Sequence, residues 1–273
     1  MYLDYWQLAA KPFDSHPGEA FRLPGESFRA AQHKVRYALD SRLPAIALTG
    51  PTGVGKTLLV ESLAAARGES GQFAHIVFPQ MSERDLLVYL AEQLGAPPAA
   101  QPRFTIEESL RRLDYVLREN LKAKRHAVLA VDEAHLLEDS GLLESLRLLL
   151  NLRPGGQTAF TLLLCGQPTL LPILGRFGAL DERIDLKIAL APLTAEESGA
   201  YVQHRLQAAG ATREIFSADA LAGIHKLAAG VPRRINRLCD LALLVGFANG
   251  QANVTAADLQ AVSEELVATR HAA

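Results

Sequence analysis

The sequence has almost no excess of charge of either sign. Its 28 lysine and arginine residues stand against 30 aspartate and glutamate residues, which leaves a net charge of −2. A protein that binds polyanions over its whole surface would need a large positive balance. The composition therefore excludes a generic polyanion-binding protein, and any surface that binds nucleic acid must be local.

Cysteine is also scarce. The chain has two cysteines, and both Cys165 and Cys239 lie in apolar segments, LLLCG and RLCDLALL. Such surroundings are typical of buried free thiols in a protein of a reducing compartment. We expect free thiols, and a disulfide is the less favoured alternative.

The sequence lacks a recognisable targeting or membrane-spanning segment. The first residues, MYLDYWQLAAKPF, have neither the basic region nor the apolar region of a secretory signal. No stretch reaches the length of about 18 uninterrupted apolar residues that a spanning helix needs. We therefore expect a cytoplasmic protein without direct membrane insertion.

Apolar residues, by contrast, are plentiful and occur in short blocks. A chain of 273 residues with 49% hydrophobic content is sufficient for one large α/β domain or two modest ones. Short apolar blocks alternate with segments at helical spacing, which predicts a parallel, doubly wound sheet. Strands are expected at 44–49, 73–78, 126–131, 160–165 and 186–190, and helices at 26–41, 56–66, 85–94, 104–121 and 142–152.

The two ends of the chain follow other patterns. Residues 1–25 are aromatic and interrupted by proline and glycine, which predicts an aromatic strap held by burial of its rings and not a regular element. Residues 26–192 would form the α/β core, with a loop at 95–102, GAPPAAQP. Residues 193–273 show helical patterns alone and predict a small all-helical subdomain. Its helices are expected at 194–208, 217–228, 232–249 and 255–269.

A glycine-rich loop joins the first predicted strand to a helix in the segment LPAIALTGPTGVGKT, residues 43–57. The loop matches G-x-x-x-x-G-K-[ST] at every fixed position, and strand, loop and helix are the context that this motif requires. Glycines let successive N–H groups and the helix N-terminus point at phosphate oxygens. Lys56 would neutralise the β- and γ-phosphates of a nucleotide, and the hydroxyl of Thr57 would ligate Mg²⁺.

The predicted phosphate site comprises Gly50, Pro51, Thr52, Gly53, Val54, Gly55, Lys56, Thr57 and Leu58. The alternative interpretation is a glycine-rich turn that contains GKT by chance.

Two carboxylates follow the apolar strand HAVLAV. Asp132 stands where the Mg²⁺ shell of a phosphate-binding loop is completed, at the carboxyl end of a nearby strand. Glu133 projects differently and is suited to orient a water molecule, or to accept its proton, opposite the γ-phosphate. A solvated strand end is the alternative.

These motifs, together with later segments, resemble the AAA+ ATPases and, within them, the general secretion pathway protein A (ExeA-type) group. The resemblance spans Tyr2 to about Gly250, and its segments are MYLDYWQLAAKPF, GPTGVGKT, VDEAH, LRLLLNL, LLLCGQPTL, DERI and GVPRRINRLCDLALLVG. It implies a five-stranded sheet, a helical lid that closes on ATP, and subunits that assemble around shared ATP sites.

The resemblance also implies roles for single residues. Gln167 in CGQP resembles the polar sensor of the γ-phosphate, although its amide is equally suited to cap the next helix. Arg233 in GVPRR resembles the lid arginine that reaches the phosphates, since the family pattern puts this residue directly after Pro232. Arg183 in LDERI resembles the arginine finger of a neighbouring subunit. The alternative is an ion pair of Arg183 with Asp181 or Asp185. Arg176 is the second candidate for the finger.

The sequence departs from the pattern of the group at some points. Glu182 precedes Arg183 where members often have glutamine, and a carboxylate there would weaken the attraction of a finger to triphosphate. DEAH at 132–135 also spells a helicase box, but no second helicase motif follows, so His135 is interpreted as a helix-start residue. Full-length members continue into a membrane segment and a peptidoglycan-binding domain, and neither is found in this sequence.

Three functions are compatible with these features. The first is a Mg-dependent ATPase that forms a homo-oligomeric ring or filament and drives assembly or remodelling, with a partner from a secretion, pilus or transposition system. The second is an AAA+ regulator of the transposition target-selection type that uses ATP to form a ring or filament on duplex DNA. Arg233, Arg234 and Arg237, with Lys226 nearby, would give its lid a local basic face, although nucleotide sensing with surface solvation is the favoured interpretation of these charges. The third is a nucleotide switch with negligible turnover.

Overall fold

The computed structural model describes residues 1–14, 18–67, 72–98 and 104–271. The chain forms two compact units. The first comprises Met1–Arg29, Thr52–Val54 and Ala191–Ala273, and the second comprises Ala30–Pro51 and Gly55–Leu190. The domain boundaries expected from the sequence, at residues 25 and 192, stay a prediction.

A five-stranded parallel sheet forms the centre of the second unit. Its strands, numbered in chain order, lie in the order β2-β3-β4-β1-β5. Every residue of the three central strands is buried, as expected for strands covered by helices on both faces. The predicted sheet is confirmed, with β1 at Ala45–Thr49, β2 at Phe73–Ile76, β3 at Ala127–Val131, β4 at Phe160–Gly166 and β5 at Ile184–Ala189.

Helices connect these strands. Short 3-10 turns at Ala134–Leu137 and Pro154–Gly156 lie between the α-helices. Ser82 and Thr105 cap the helices that begin at Glu83 and Ile106, because their side chains accept hydrogen bonds from backbone N–H groups of the first turn. The α-helices are α2 (Glu26–Asp40), α3 (Lys56–Arg67), α4 (Glu83–Gln93), α5 (Ile106–Lys122), α6 (Leu142–Leu149), α7 (Leu170–Arg176) and α8 (Gly178–Asp181).

The edge strands differ from their predicted bounds. β2 ends at Ile76, and Val77 and Phe78, which the prediction included, are exposed. β5 begins at Ile184, two residues before its predicted start, and its residues alternate between buried and exposed. An edge strand with one covered face lacks the continuous apolar run by which buried strands are recognised. The loop predicted at 95–102 is described only as far as residue 98.

The first unit is helical and encloses the aromatic residues of the N-terminus. Its C-terminal helices are α9 (Ala195–Ala208), α10 (Ala218–Ala228), α11 (Pro232–Ala248) and α12 (Ala256–His271). The expectation that residues 1–25 form no regular element was wrong. They contain α1 (Tyr2–Trp6) and a 3-10 turn at Glu19–Phe21, elements too short for helical periodicity to reveal.

Trp6 anchors this N-terminal segment within the first unit. Its side chain is fully buried, and its Nε1–H donates to the carbonyl of Leu243, 2.9 Å away in α11. Tyr5 packs edge-on against it with ring centroids 5.0 Å apart. A Cβ at Gly246 would lie 2.9 Å from the indole, so this glycine lets the ring approach the helix. Burial of the aromatic rings, as predicted, holds the segment.

Two further expectations concern thiols and membrane spans. Cys165 and Cys239 are buried and free, as predicted, and burial raises the pKa of both thiols well above the usual range. Among the residues that the structure describes, no helix has both the length and the apolar character that a membrane crossing requires.

Trp6→Ala should destabilise the first unit by about 3–5 kcal/mol, because it opens a large cavity and leaves the Leu243 carbonyl without its donor. Leu244→Ala is the matched control, since Leu244 lies on α11 with 48% of its surface exposed. Differential scanning calorimetry measures both variants. Equal melting temperatures for the two would contradict the anchoring role of Trp6.

Candidate nucleotide site

The loop between β1 and α3 has the backbone form of an anion-binding loop. Gly53 and Gly55 have φ values of 87° and 108°, which favour glycine. Within the described residues, the N–H groups from Thr52 to Leu58 donate no hydrogen bond to a backbone or side-chain acceptor. These donors include the first turn of α3, where N–H groups lack intrahelical partners. The loop can therefore supply a series of amide donors to a phosphate chain.

Lys56 holds the loop from inside. Its side chain is 5% exposed, and its Nζ donates to the carbonyls of Gly50 at 2.9 Å and Pro51 at 3.2 Å. The N–H of Gly50 donates to the carbonyl of Gly166 at 3.2 Å, which fixes the start of the loop to the end of β4. The ammonium is thus placed beside the amide donors of the same loop.

Thr57 and Asp132 meet at the carboxyl edge of the sheet. The Thr57 hydroxyl donates to Oδ2 of Asp132 at 2.5 Å, and Oδ1 of Asp132 accepts the N–H of Glu133 at 3.0 Å. Asp132 is 3% exposed. The structure thus brings together the two side chains, Thr57 and Asp132, whose oxygen atoms the sequence predicts as ligands of Mg²⁺.

The chemistry of this donor pair fits Mg²⁺. The ion binds few protein oxygens and fills its octahedral shell with water and substrate phosphate. Within the described ranges, no group of three or more His, Cys, Asp or Glu side chains could hold a metal ion. One hydroxyl and one carboxylate next to a phosphate-binding loop suit an ion that arrives with its nucleotide.

Glu133 has a strained backbone. Its φ of 48° and ψ of 36° lie in the left-handed region, which non-glycine residues seldom adopt. Its side chain is 36% exposed, with Oε2 3.4 Å from Nδ1 of His135. The conformation separates the directions of two adjacent carboxylates, so that Asp132 is buried while Glu133 remains accessible to water.

Two histidines lie beside the carboxylates, and the sequence analysis assigned neither of them to the site. His135, which it interpreted as a helix-start residue, lies in the 3-10 turn and contacts both Glu133 and Gln167, whose N–H donates to Nδ1 at 3.5 Å. His75 on β2 places Nε2 3.9 Å from Oδ2 of Asp132. Burial lowers the pKa of His75, and the nearby carboxylate opposes this shift. The one signal in the sequence was a polar residue inside the apolar strand FAHI.

Comparison with known proteins identifies the family. Residues 40–174 match the family model described as an AAA domain. The chain is 34% identical over 273 residues to general secretion pathway protein A of Aeromonas hydrophila, a match that covers 99% of this chain and 49% of that protein. The chain belongs to the AAA+ family. It spans about half the length of this curated relative, and the resemblance to the AAA+ module of the secretion group is confirmed.

Solved structures share the fold of this AAA+ chain. The ORC2 protein of Aeropyrum pernix, solved as ADPNP-ADP complexes, has a TM-score of 0.69 at 18% identity, with 93% of this chain and 71% of that chain covered. Drosophila ORC bound to DNA has a TM-score of 0.70 at 18% identity, with 98% of this chain and 66% of that chain covered. At these identities the likeness shows the fold alone, and it confirms the P-loop AAA+ architecture.

Gln167, the predicted sensor of this AAA+ chain, directly follows β4. The sheet order puts β4 between β3 and β1, so Gln167 lies between the carboxylates and the phosphate loop. Its side chain is half-buried and makes no cap bond to α7, whose N-cap residue is Thr169. The position suits a sensor, and the role stays a prediction.

The predicted finger residues have different environments. Arg183 is half-buried, and its guanidinium donates to the carbonyl of Arg147 at 3.5 Å. Asp181, one of its two alternative partners, pairs with Lys187 at 2.6 Å, and among the described residues Arg183 forms no ion pair. Arg176, the reserve residue, is paired with Glu138.

Arg233 lies at the second position of α11, in the first unit. Its N–H donates to the carbonyl of Gly53 at 3.3 Å, and the N–H groups of Gly53 and its neighbours remain available to phosphate. Pro232 occupies the first helical position, as expected from the sequence. The side chain of Arg233 is exposed, and its contact with phosphate stays a prediction.

Gly53→Ala should destabilise the protein by more than the backbone strain of a positive φ, because the added Cβ also meets a neighbouring side chain. A Cβ at Gly53 would lie 2.8 Å from Cβ of Arg233, whereas a Cβ at Gly141, with φ of 74°, would have nothing within 4 Å. Gly141→Ala should cost about 1–2 kcal/mol of stability through backbone strain, and Gly53→Ala should cost more.

Nucleotide affinity separates the two glycine variants further. Isothermal calorimetry with Mg·ATP should show weaker binding for Gly53→Ala and unchanged binding for Gly141→Ala. An unaltered affinity in Gly53→Ala would argue against the assignment of this loop to phosphate.

Proposed function

We propose that this AAA+ chain binds Mg·ATP at residues 50–58 and hydrolyses it, with Glu133 as the residue that activates water. The observation that carries the proposal is the contact of Thr57 with Asp132, next to amide donors that have no protein acceptor among the described residues. Strand β1 delivers the loop, and β3 delivers the carboxylates. These are the parts that phosphoryl transfer requires.

The proposed mechanism is one of positioning and electrostatic stabilisation. The loop amides and Lys56 hold the phosphate chain, and Thr57 with Asp132 would hold Mg²⁺. When bound, this ion would neutralise charge on the β- and γ-phosphates. Glu133 orients a water molecule in line with the γ-phosphate and accepts its proton. Gln167 hydrogen-bonds the γ-phosphate or the water, and Arg233 binds phosphate from the start of α11.

We further propose that Arg183 acts on the nucleotide of a neighbouring subunit in a homo-oligomeric ring or filament. The absence of an ion pair to Arg183 among the described residues supports this assignment over Arg176, which already pairs with Glu138. A guanidinium inserted against the γ-phosphate would stabilise the charge of the transition state. ATP turnover would then depend on assembly.

The proposed physiological role is the ATP-driven assembly or remodelling of a secretion apparatus. Support comes from the similarity to general secretion pathway protein A of Aeromonas hydrophila, half of whose length this chain matches. The role depends on ATP turnover, because a nucleotide switch without hydrolysis could bind a partner but could not release and rebind it repeatedly.

Lys56→Ala and Glu133→Gln should separate nucleotide binding from hydrolysis. Lys56→Ala removes the charge that faces the phosphates and should abolish binding of Mg·ATP in calorimetry. Glu133→Gln keeps the shape of the side chain and should bind ATP normally, with phosphate release slowed about 10²- to 10⁴-fold because the water is no longer activated.

Asp139→Asn is the control for this pair, since Asp139 is a carboxylate that follows the same turn. It should leave both measurements unchanged. Normal hydrolysis by Glu133→Gln would show that another residue is the base.

Arg183→Ala should lower turnover about 10³-fold or more, while Arg176→Ala should have a smaller effect. In a mixture of Arg183→Ala and Glu133→Gln subunits, activity should partly return, because one subunit supplies an intact Glu133 and its neighbour an intact Arg183. Phosphate release at a series of mixing ratios measures this. A confirmed oligomer that shows no such recovery would contradict action across subunits.

A further inference from the structure

A basic groove lies at the opposite end of the sheet from the phosphate loop, where β1 and β3 begin. A cleft of about 490 Å³ is lined there by Leu39, Asp40, Arg42, Arg67, Lys124, Arg125 and His126. A second cleft of about 320 Å³ shares Leu39, Asp40 and Arg67 with the first and adds Arg36. Together they form one groove within the second unit, and its described lining has five cationic side chains and one carboxylate.

Most cations of the groove have no protein partner among the residues that the structure describes. Asp40 lies near Arg67 and favours the charged form of that guanidinium, which burial disfavours. Within the described residues, the side chains of Arg36, Arg42, Lys124 and Arg125 form no ion pair or hydrogen bond, and all four are exposed. The groove therefore keeps a surplus of positive charge in a chain whose net charge is −2.

Arg42 and Lys124 occupy positions where glycine is the ordinary residue. They have φ values of 53° and 58°, and each follows the C-cap of a helix, α2 and α5 respectively. The backbone N–H groups of both residues and of the residues after them close these helices by donating to carbonyls of the last turn. A cation at such a position adds backbone strain, yet the chain has one after both α2 and α5.

Compensation of the helix dipoles does not explain this arrangement. Cations near a helix C-terminus are favourable anywhere in the last turn and need no left-handed residue. The final carbonyls here already accept backbone N–H groups. The two strained cations are instead brought together from helices that end about 80 residues apart in sequence.

The floor of the groove is hydrogen-bonded and uncharged. Nε2 of buried His126 lies 2.8 Å from Oγ1 of Thr161, which donates to the carbonyl of Leu43 at 2.7 Å. This chain of contacts joins the amino ends of β3, β4 and β1. Burial, with the nearby charges of Arg42 and Arg67, lowers the pKa of His126 to about 4, so it is neutral at pH 7 and the cations set the charge.

We propose that this groove binds the sugar-phosphate backbone of nucleic acid. Five cations that line one groove favour a ligand with several phosphates in sequence. Guanidinium groups match phosphate oxygens in pairs. A site that contacts phosphates and not base edges binds nucleic acid independently of its sequence. The site is separate from the basic face that the sequence predicted on the lid, and it does not depend on ATP turnover.

The test uses the double variant Arg42→Gly/Lys124→Gly. Glycine relaxes the left-handed backbone at both positions, so the melting temperature should be unchanged or higher. Fluorescence anisotropy of a labelled duplex of arbitrary sequence, at KCl concentrations from 50 to 200 mM, measures binding. Affinity should fall roughly tenfold, and the slope of log K against log salt should become less steep by about 2, because two phosphate contacts are lost.

The control is Arg111→Ala/Lys122→Ala, which removes the same charge from exposed, ion-paired positions on α5. It should bind the duplex like the unaltered chain. Unlabelled tripolyphosphate is added as a competitor, and calorimetry with Mg·ATP checks the nucleotide site of each variant separately.

Three results would overturn the proposal. The first is that the unaltered chain does not bind the duplex at 50 mM KCl, whether or not tripolyphosphate binds. The second is an equal loss of duplex affinity in the control, and the third is a loss of duplex affinity confined to Arg234→Ala/Arg237→Ala on α11. A groove variant that loses the duplex and keeps Mg·ATP supports it. Loss of Mg·ATP binding in Lys56→Ala with duplex binding intact would separate the two sites.

Discussion

The candidate site depends on the parallel alignment of three strands, β3, β4 and β1. Thr49 at the end of β1 pairs with Gly166 at the end of β4, and Val131 at the end of β3 pairs with Leu164. The three strands therefore end at one edge, where Thr57 can reach Asp132 although β4 lies between their strands. Gly166 makes room in the middle, since a Cβ there would lie 3.0 Å from Leu170 and 3.4 Å from the backbone of His135.

Much of this arrangement was predictable because its determinants are local. The buried strands are continuous apolar runs, the phosphate loop is a fixed motif of eight residues, and Asp132 follows its strand directly. The edge strands and α1 were less predictable, since an edge strand mixes polar and apolar residues and a five-residue helix is shorter than any periodic signal. In each case the prediction was accurate where one segment carries its own pattern and inaccurate where packing decides the structure.

The contacts of His75, His135 and the basic groove could not be predicted from the sequence. His135 and Gln167 are 32 residues apart, and His75 and Asp132 are 57 apart. The groove joins the ends of α2, α3 and α5. His75 and the groove residues belong to no motif, and Lys124 and Arg125 look like ordinary compensation of a helix dipole. Only the register of the strands reveals which of these side chains share an edge of the sheet.

The near-neutral composition therefore hides a separation of charge along the strand axis. At the carboxyl edge, carboxylates lie beside free amide donors, a combination suited to a cation that accompanies phosphate. At the amino edge, the described lining of the groove holds five cations and the carboxylate of Asp40. The first edge needs precise geometry, and Glu133 accepts a left-handed backbone to provide it. The amino edge needs surplus positive charge on fixed helix ends, and Arg42 and Lys124 provide it from left-handed backbone conformations. Strain of one kind thus occurs at both edges and supports a different kind of site at each.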